Sequence, residues 1–185
     1  RGIKTPRSLE GRTVLDSAGS TAKSLFTLVA KANSIDESKV IWKTAAANAK
    51  VALMLQGQGD GVATGLWAEV QIEPKLKPGE LGEFPFGQWG ANIEGDAAMT
   101  SDSFLAGNKD LVKGFVQATV KGYKEGFADP KAAAAAIAAR HPELNLENTR
   151  KEFEVTRRLA LGPAQKQHGV CYQDPERMKA TFDAV

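Results

Sequence analysis

The sequence predicts an α/β protein: a doubly wound lobe built from parallel β-α-β units, followed by a mainly helical part. Two observations carry this expectation. As far as Glu73, short β-branched runs alternate with helical patterns. From Ser101 onward, helical periodicity and helix-starting pairs fill nearly the whole chain.

"TPRSLEG" (Thr5 to Gly11) reads as one helical turn, with Thr5 as N-cap, Pro6 at the first position and Gly11 as the stop. "RTVLDS" then predicts a buried strand. From Thr21 to Asn33, the residues Leu25, Leu28, Val29 and Ala32 share one helical face. "KVIWKT" (Lys39 to Thr44) is β-branched and aromatic, which suits a second strand. Alanine, leucine and methionine from Ala45 to Gly57 predict a second helix, and "GDGVATG" (Gly59 to Gly65) a third, short strand. Right-handed crossovers would place the helices on both faces of such a sheet.

After Glu73, "PKLKPGELGEFPFG" is rich in Pro and Gly and reads as a surface connection, and "GDAAMTS" (Gly95 to Ser101) as one more strand. Val112, Phe115, Val116, Val120, Tyr123 and Phe127 form an apolar stripe along a helix from Asn108 to Ala128. Asp129-Pro130 and Asp174-Pro175 pair a capping carboxylate with a proline at the first helical position. Asn145 is placed to cap a further helix that ends near Gly162-Pro163.

Composition excludes several function classes. The 185 residues are 42% hydrophobic and 25% charged, with 24 basic and 22 acidic side chains and a formal net charge of +2. Such a balance supplies no basic face, so nucleic acid is not expected as a partner. No apolar run approaches the length of a membrane span. The single cysteine, Cys171, leaves no internal disulfide and no Cys-rich zinc site, and no metal or cofactor is expected. The chain starts at Arg1 without the pattern of a signal peptide, which suggests processing or excision from something longer.

The turn "DSAGSTAKSLF" joins the first strand to the first helix. Backbone N–H groups at a helix N-terminus lack partners and carry the positive end of the helix dipole. Gly19 admits a ligand close to the backbone, and the hydroxyls of Ser17, Ser20 and Thr21 add donors, so a carboxylate, sulfonate or phosphate suits the place. The competing reading is that Ser20 or Thr21 only caps the helix. No glycine precedes Lys23 in the frame of a phosphate-binding Walker loop, so nucleotide hydrolysis finds no support.

Trp67 and Glu69 in "GLWAEV" follow the third strand, at the carboxyl end where open α/β sheets bind ligands. A Trp stacks a planar or apolar group and a carboxylate pairs an amine; the alternative is a core Trp and a solvated Glu. Phe84, Phe86 and Trp89 are either packing or cleft wall. His141 precedes Pro142 at a helix end and reads as a capping residue. His168 lies three residues before Cys171, with nothing to fix the two in hydrogen-bond geometry and no third group to orient them, so catalysis there is not expected.

"GIKTPRSLEGRTV", a small-residue turn with its helix, and "VALMLQGQGDGVATGLWAE" occur in that order. The order resembles the second lobe of bacterial periplasmic substrate-binding proteins, in the nitrate/sulfonate/taurine and thiamine-precursor group that serves ABC importers. Lys4, Thr5, Leu9, Gly11 and Arg12 stand where that group shows its Lys-Thr-x-x-x-Leu-x-Gly-Lys entry. Gly57, Asp60 and Gly61 resemble its Leu-x-x-Gly-x-x-Asp-Ala element, with Leu55 shifted by one place. "SDSFLAGNKDLVKGFVQATVKGYKEGFADPKAAAAAI" resembles the helices that follow the return to lobe one, and "QDPERMKATFDAV" a late helix of the group.

The resemblance implies a type II periplasmic-binding-protein-like fold, with residues 1–80 as lobe two and residues 81–185 as the return crossing and the helical part of lobe one. It implies that the first part of lobe one would precede Arg1. It also implies a non-enzymatic solute-binding component, located in the periplasm or otherwise outside the cytoplasm. Two lobes would close on a small anionic or aromatic organic solute, and the loaded protein would dock on an ABC permease in the membrane. Ser17, Gly19, Ser20 and Thr21 then correspond to the loop that holds the ligand's polar end. Trp67 and Glu69 lie where further contacts fall, and Asn92, Glu94 and Asp96 lie near the return crossing. Two alternatives share the architecture: a ligand-sensing effector domain of a transcription regulator, and an enzyme of thiamine-precursor synthesis. Helices with apolar faces and little sheet to cover predict exposed apolar surface, hence self-association.

Overall fold

The computed structural model describes residues 3–184. The described residues form two compact units, the first within residues 3–93 and 179–184 and the second residues 94–178. The fold is mixed α/β, with a small parallel sheet and many helices.

In the first unit, a 3-10 turn at Pro6–Leu9 leads into β1 (Thr13–Asp16). Thr5 precedes that turn as expected, but its hydroxyl meets the Ser8 hydroxyl at 3.2 Å instead of capping a backbone amide. Gly11 stops the turn with φ +76°, and its N–H donates to the Lys39 carbonyl. Helix α1 (Ala22–Ala32) crosses to β2 (Ile41–Thr44), and α2 (Lys50–Leu55) crosses to β3 (Gly61–Val62). Both β2 and β3 pair with β1 in parallel, in the order β2-β1-β3. The strand order therefore reverses at β1, where right-handed crossovers would carry α1 and α2 to opposite faces.

Two elements are shorter than the sequence predicts. The second helix occupies only Lys50–Leu55, because residues 45–49 form the turn leading out of β2. The third strand is the two residues Gly61–Val62, since the chain turns away at Ala63 after its N–H donates to the Leu15 carbonyl.

The core of this unit sits between β1, α1 and the segment before Ile93. Val14, Phe26, Val29, Ala30, Ile35, Val40 and Ala91 are buried together, with Leu9, Leu28, Trp42, Phe86 and Trp89 packed around them. The buried face of α1 is turned from the expected one: Phe26, three and four positions before Val29 and Ala30, goes fully inside, whereas Ala32 is exposed. Phe26 meets Trp42 edge-on at 5.6 Å and lies 6.2 Å from Phe86. The aromatic cluster is thus packing: Phe84 and Trp89 stack edge-to-face at 6.2 Å, and the Trp89 carbonyl accepts from Asn33 Nδ2 at 2.7 Å. Gly90, at φ +104°, brings this loop against α1, where an added Cβ would lie 2.3 Å from the Ala32 Cβ.

The second unit is helical: α4 (Asp102–Gly107), α5 (Lys109–Ala128), α6 (Pro130–Ala138), α7 (Leu146–Ala160) and α8 (Pro163–His168). A last helix, α9 (Pro175–Ala184), closes the chain. The expected strand at Gly95–Ser101 does not form; this stretch is irregular and ends at Ser101, whose hydroxyl caps α4. The capping expectations for the later helices hold. Asp129 accepts from the Ala132 N–H, Asn145 from the Asn148 N–H, and Asp174 from the Glu176 N–H, all near 3 Å. No helix among the described residues is long and apolar enough to cross a membrane.

Candidate functional site

The carboxyl ends of β1 and β3 lie where strand order reverses, the usual ligand position in open α/β sheets. The first loop is the turn after β1. The Ser20 N–H donates to the Ser17 carbonyl at 3.1 Å, and Gly19 at the third position takes φ +74°, as a tight turn of this kind requires. A Cβ added at Gly19 would meet nothing within 4 Å, so the backbone there is open to a ligand. The Ser20 hydroxyl accepts from the Ala22 N–H at 3.1 Å, while Thr21 occupies the N-cap position of α1 without a side-chain cap bond. Ser20, Thr21 and Gly19 are exposed.

Ser17 differs from its neighbours. Its N–H donates to Asp16 Oδ1 at 2.8 Å, whereas its own hydroxyl is buried without a hydrogen-bond partner among the described residues. An unpaired buried hydroxyl is a destabilised group waiting for a partner. The N–H groups of Lys23 and Ser24, in the first turn of α1, have no acceptor within the helix.

Sequence reasoning missed an ion pair at the carboxyl end of the sheet. Asp16, the last residue of β1, is 7% exposed. Lys50, the first residue of α2, places Nζ 3.8 Å from Asp16 Oδ1 and donates to the Ala63 carbonyl at 2.6 Å. The two side chains are 10% and 11% exposed, so a largely buried ion pair lies at the start of the hydroxyl-bearing turn. The available signal was a lone cation in the apolar run "AKVALML", matched by a lone carboxylate ending "TVLD".

The second loop follows β3. Trp67, in a 3-10 turn at Leu66–Ala68, is 46% exposed and folds over Gly65, where an added Cβ would lie 2.2 Å from its indole Nε1. Trp67 is therefore not a core Trp, and Ala68, Val70 and Ile72 take the buried positions around it. Glu69 opens the short helix α3 (Glu69–Ile72) and is half-buried. Asn92 is exposed after the 3-10 turn at Phe86–Trp89, in the first unit. Asp96 is exposed in the irregular stretch that begins the second unit. Of the expected site residues, Ser17 to Thr21 and Trp67 with Glu69 follow adjacent strands, and Asn92 lies outside those two loops.

Two shallow recesses in the second unit contain none of these residues; one runs along Val116, Val120 and Lys124, the other is lined by Phe127, Arg157, Leu161 and Val170. His168 is stacked on Tyr172 at 4.3 Å, and desolvation pushes the Cys171 thiol above its ordinary range. His141 pairs with Glu143 through Nδ1 at 3.2 Å. Among the described residues, no group of three His, Cys, Asp or Glu side chains is placed to hold a metal ion.

The glycine-aspartate element has a clear structural task. Gly57 ends α2 with φ +83°, and Asp60 accepts through Oδ2 from the Thr13 N–H at 3.0 Å. Gly59 lies on Leu15, where an added Cβ would come within 2.6 Å of Cγ. A comparison with curated proteins finds no match to this chain. The family model described as NMT1/THI5 like matches residues 1–133, a stretch that contains the sheet, the loops after β1 and β3, and helix α5. The chain therefore belongs to the NMT1/THI5-like family.

Proposed function

We propose that this chain is the solute-binding component of an ABC-type import system and captures a small anionic or aromatic organic solute without transforming it. Family membership is consistent with a solute-binding role. The observation that carries the reading is the Ser17 hydroxyl, buried without a hydrogen-bond partner among the described residues, in the turn that runs from Asp16, the partner of Lys50, to the start of α1. An oxyanion of the solute would accept from Ser17 and from the N–H groups of Lys23 and Ser24, with Ser20 and Thr21 at the rim. The exposed Trp67 face would cover an apolar or planar part of the same molecule. A lobe of type II periplasmic-binding-protein architecture, acting outside the cytoplasm and delivering its load to a membrane permease, completes this reading.

The test is calorimetric titration of the chain with taurine, nitrate, benzoate and an aminopyrimidine, alongside Ser17→Ala and Trp67→Ala. The expected result is saturable binding of at least one probe, weakened about tenfold or more by Ser17→Ala through loss of a charge-assisted hydrogen bond. Chemical turnover of a bound probe, or binding indifferent to both substitutions, would overturn the reading.

A further inference from the structure

Local preference does not place a lysine at position 50. It is the first residue of α2, where the positive end of the helix dipole disfavours a cation, and Ala49 before it supplies no side-chain cap. Stability alone does not call for its buried pairing with Asp16 either, because an ion pair withdrawn from water gains little over apolar side chains of similar volume. The best-attested use of such a pair is to fix register, since each charge must be met at one place.

Here the places are the exits of two strands. Asp16 Oδ1, 3.8 Å from Lys50 Nζ, also accepts from the Ser17 N–H at 2.8 Å, so the ammonium bears on the start of the Ser17 turn. On its other side Nζ donates to the Ala63 carbonyl at 2.6 Å, while the Ala63 N–H donates to the Leu15 carbonyl at 2.9 Å. Ala63 is thus held by the sheet through its amide and by Lys50 through its carbonyl, where the chain leaves β3. Only Thr64 separates it from Gly65, whose carbonyl accepts from the Ala68 N–H at 3.0 Å and over which the Trp67 indole folds. A shift at Ala63 therefore passes to Trp67 with little slack.

We propose that Lys50 is a positioning residue of the solute site. It sets the spacing between the loop that carries Ser17 and the loop that carries Trp67, and so the size of solute that both loops can touch. The inference rests on the solute-binding reading above, and it adds a residue that itself touches no solute.

The test reads the Trp67 indole N–H in proton–nitrogen NMR of the solute-free chain, the resonance being identified by its loss in Trp67→Phe. Asp16→Asn, a change after β1, should move this resonance, and should leave it still in a Lys50→Met background, where the link is already cut. The double variant also separates positioning from stability. In urea unfolding the two changes together should cost less than their sum, while the Trp67 resonance stays away from its parental position. Circular dichroism checks the fold; should Lys50→Met alone fail to fold, the parent, Asp16→Asn and the double variant still give the comparison. A resonance unmoved in the double variant, one that returns to the parental position together with stability, or one that Asp16→Asn shifts equally with and without Lys50 would each overturn the proposal.

Those spectra need no solute, so a chain that binds no probe would count against the solute-binding reading while NMR still decides whether Lys50 places the loops. In calorimetry, the double variant should weaken benzoate, which carries both an oxyanion and a ring, about tenfold or more. Nitrate, too small to reach both loops, should weaken less than about threefold. Equal losses for the two probes would show that Lys50 does not set the spacing.

Discussion

Lys50 and Asp16 form an ion pair across the carboxyl edge of the sheet: Nζ lies 3.8 Å from Oδ1, and the same ammonium holds the Ala63 carbonyl at 2.6 Å. One side chain therefore ties the exit of β1 to the exit of β3. That matters because β3 contributes only two paired residues, Gly61 and Val62, and the loop carrying Trp67 hangs from it.

Removing one member should be worse than removing both. Lys50→Met leaves Asp16 without its cation in a site only a tenth exposed, and leaves the Ala63 carbonyl without its donor. The expected loss is about 2–4 kcal/mol in urea unfolding. Asp16→Asn combined with Lys50→Met should recover about 1 kcal/mol or more relative to the sum of the single changes. Strict additivity would show that the two side chains do not interact.

Ser17 should trade stability against binding. Its hydroxyl is buried and unpaired in the free chain, so Ser17→Ala removes an unsatisfied polar group and should stabilise, or leave unchanged, by up to about 1 kcal/mol. Ser20→Ala removes the acceptor of the Ala22 N–H and should destabilise by about 0.5–1 kcal/mol. Thermal melts should thus fall for Ser20→Ala and hold or rise for Ser17→Ala. A drop with Ser17→Ala would mean that its hydroxyl already has a partner in solution.

Gly59 is fixed by contact with the core. An added Cβ would lie 2.6 Å from Leu15 Cγ and 3.0 Å from Cδ1, and Leu15 is fully buried in the central strand. Gly59→Ala should destabilise by about 1–3 kcal/mol through overpacking. Gly61→Ala, two positions on, meets nothing within 4 Å and should be nearly neutral in the same denaturation experiment.

How much of this was written legibly in the chain depends on the range of the interactions involved. Local signals were faithful: the caps at Asp129, Asn145 and Asp174 and the strand "TVLD" all stand where their residues put them. Period alone was a weaker guide. Phe26 replaced Leu25 in the buried face of α1 because Trp42 and Phe86, distant in sequence, converge on it. "GDAAMTS" forms no strand, since a short apolar run needs a neighbour to pair with and the ladder ends at β2 and β3. The turn from Ser17 to Thr21 was readable as a small-residue loop between strand and helix. The Asp16–Lys50 pair was not, because the two residues are 34 positions apart and only the parallel register joins them.

Glu147 gives a prediction in pH. The guanidinium of Arg150 donates to both of its carboxylate oxygens, at 2.9 and 2.7 Å, and also reaches Glu154. Those bonds hold the Glu147 carboxyl below its ordinary value of 4.5 and push the Arg150 guanidinium up. A carboxyl whose value is depressed in the folded chain binds its proton less readily there than in the unfolded chain. Its contribution to α7 is therefore complete above the ordinary value and fades as pH falls through the lower, folded one. Glu147 is exposed, so salt screening keeps that contribution small, and the titration itself is the sharper readout. Carbon-detected NMR should place the Glu147 midpoint below 4.5, and Arg150→Gln should move it upward. An unchanged midpoint in Arg150→Gln would show that the paired oxygens are bonded to water, not to Arg150.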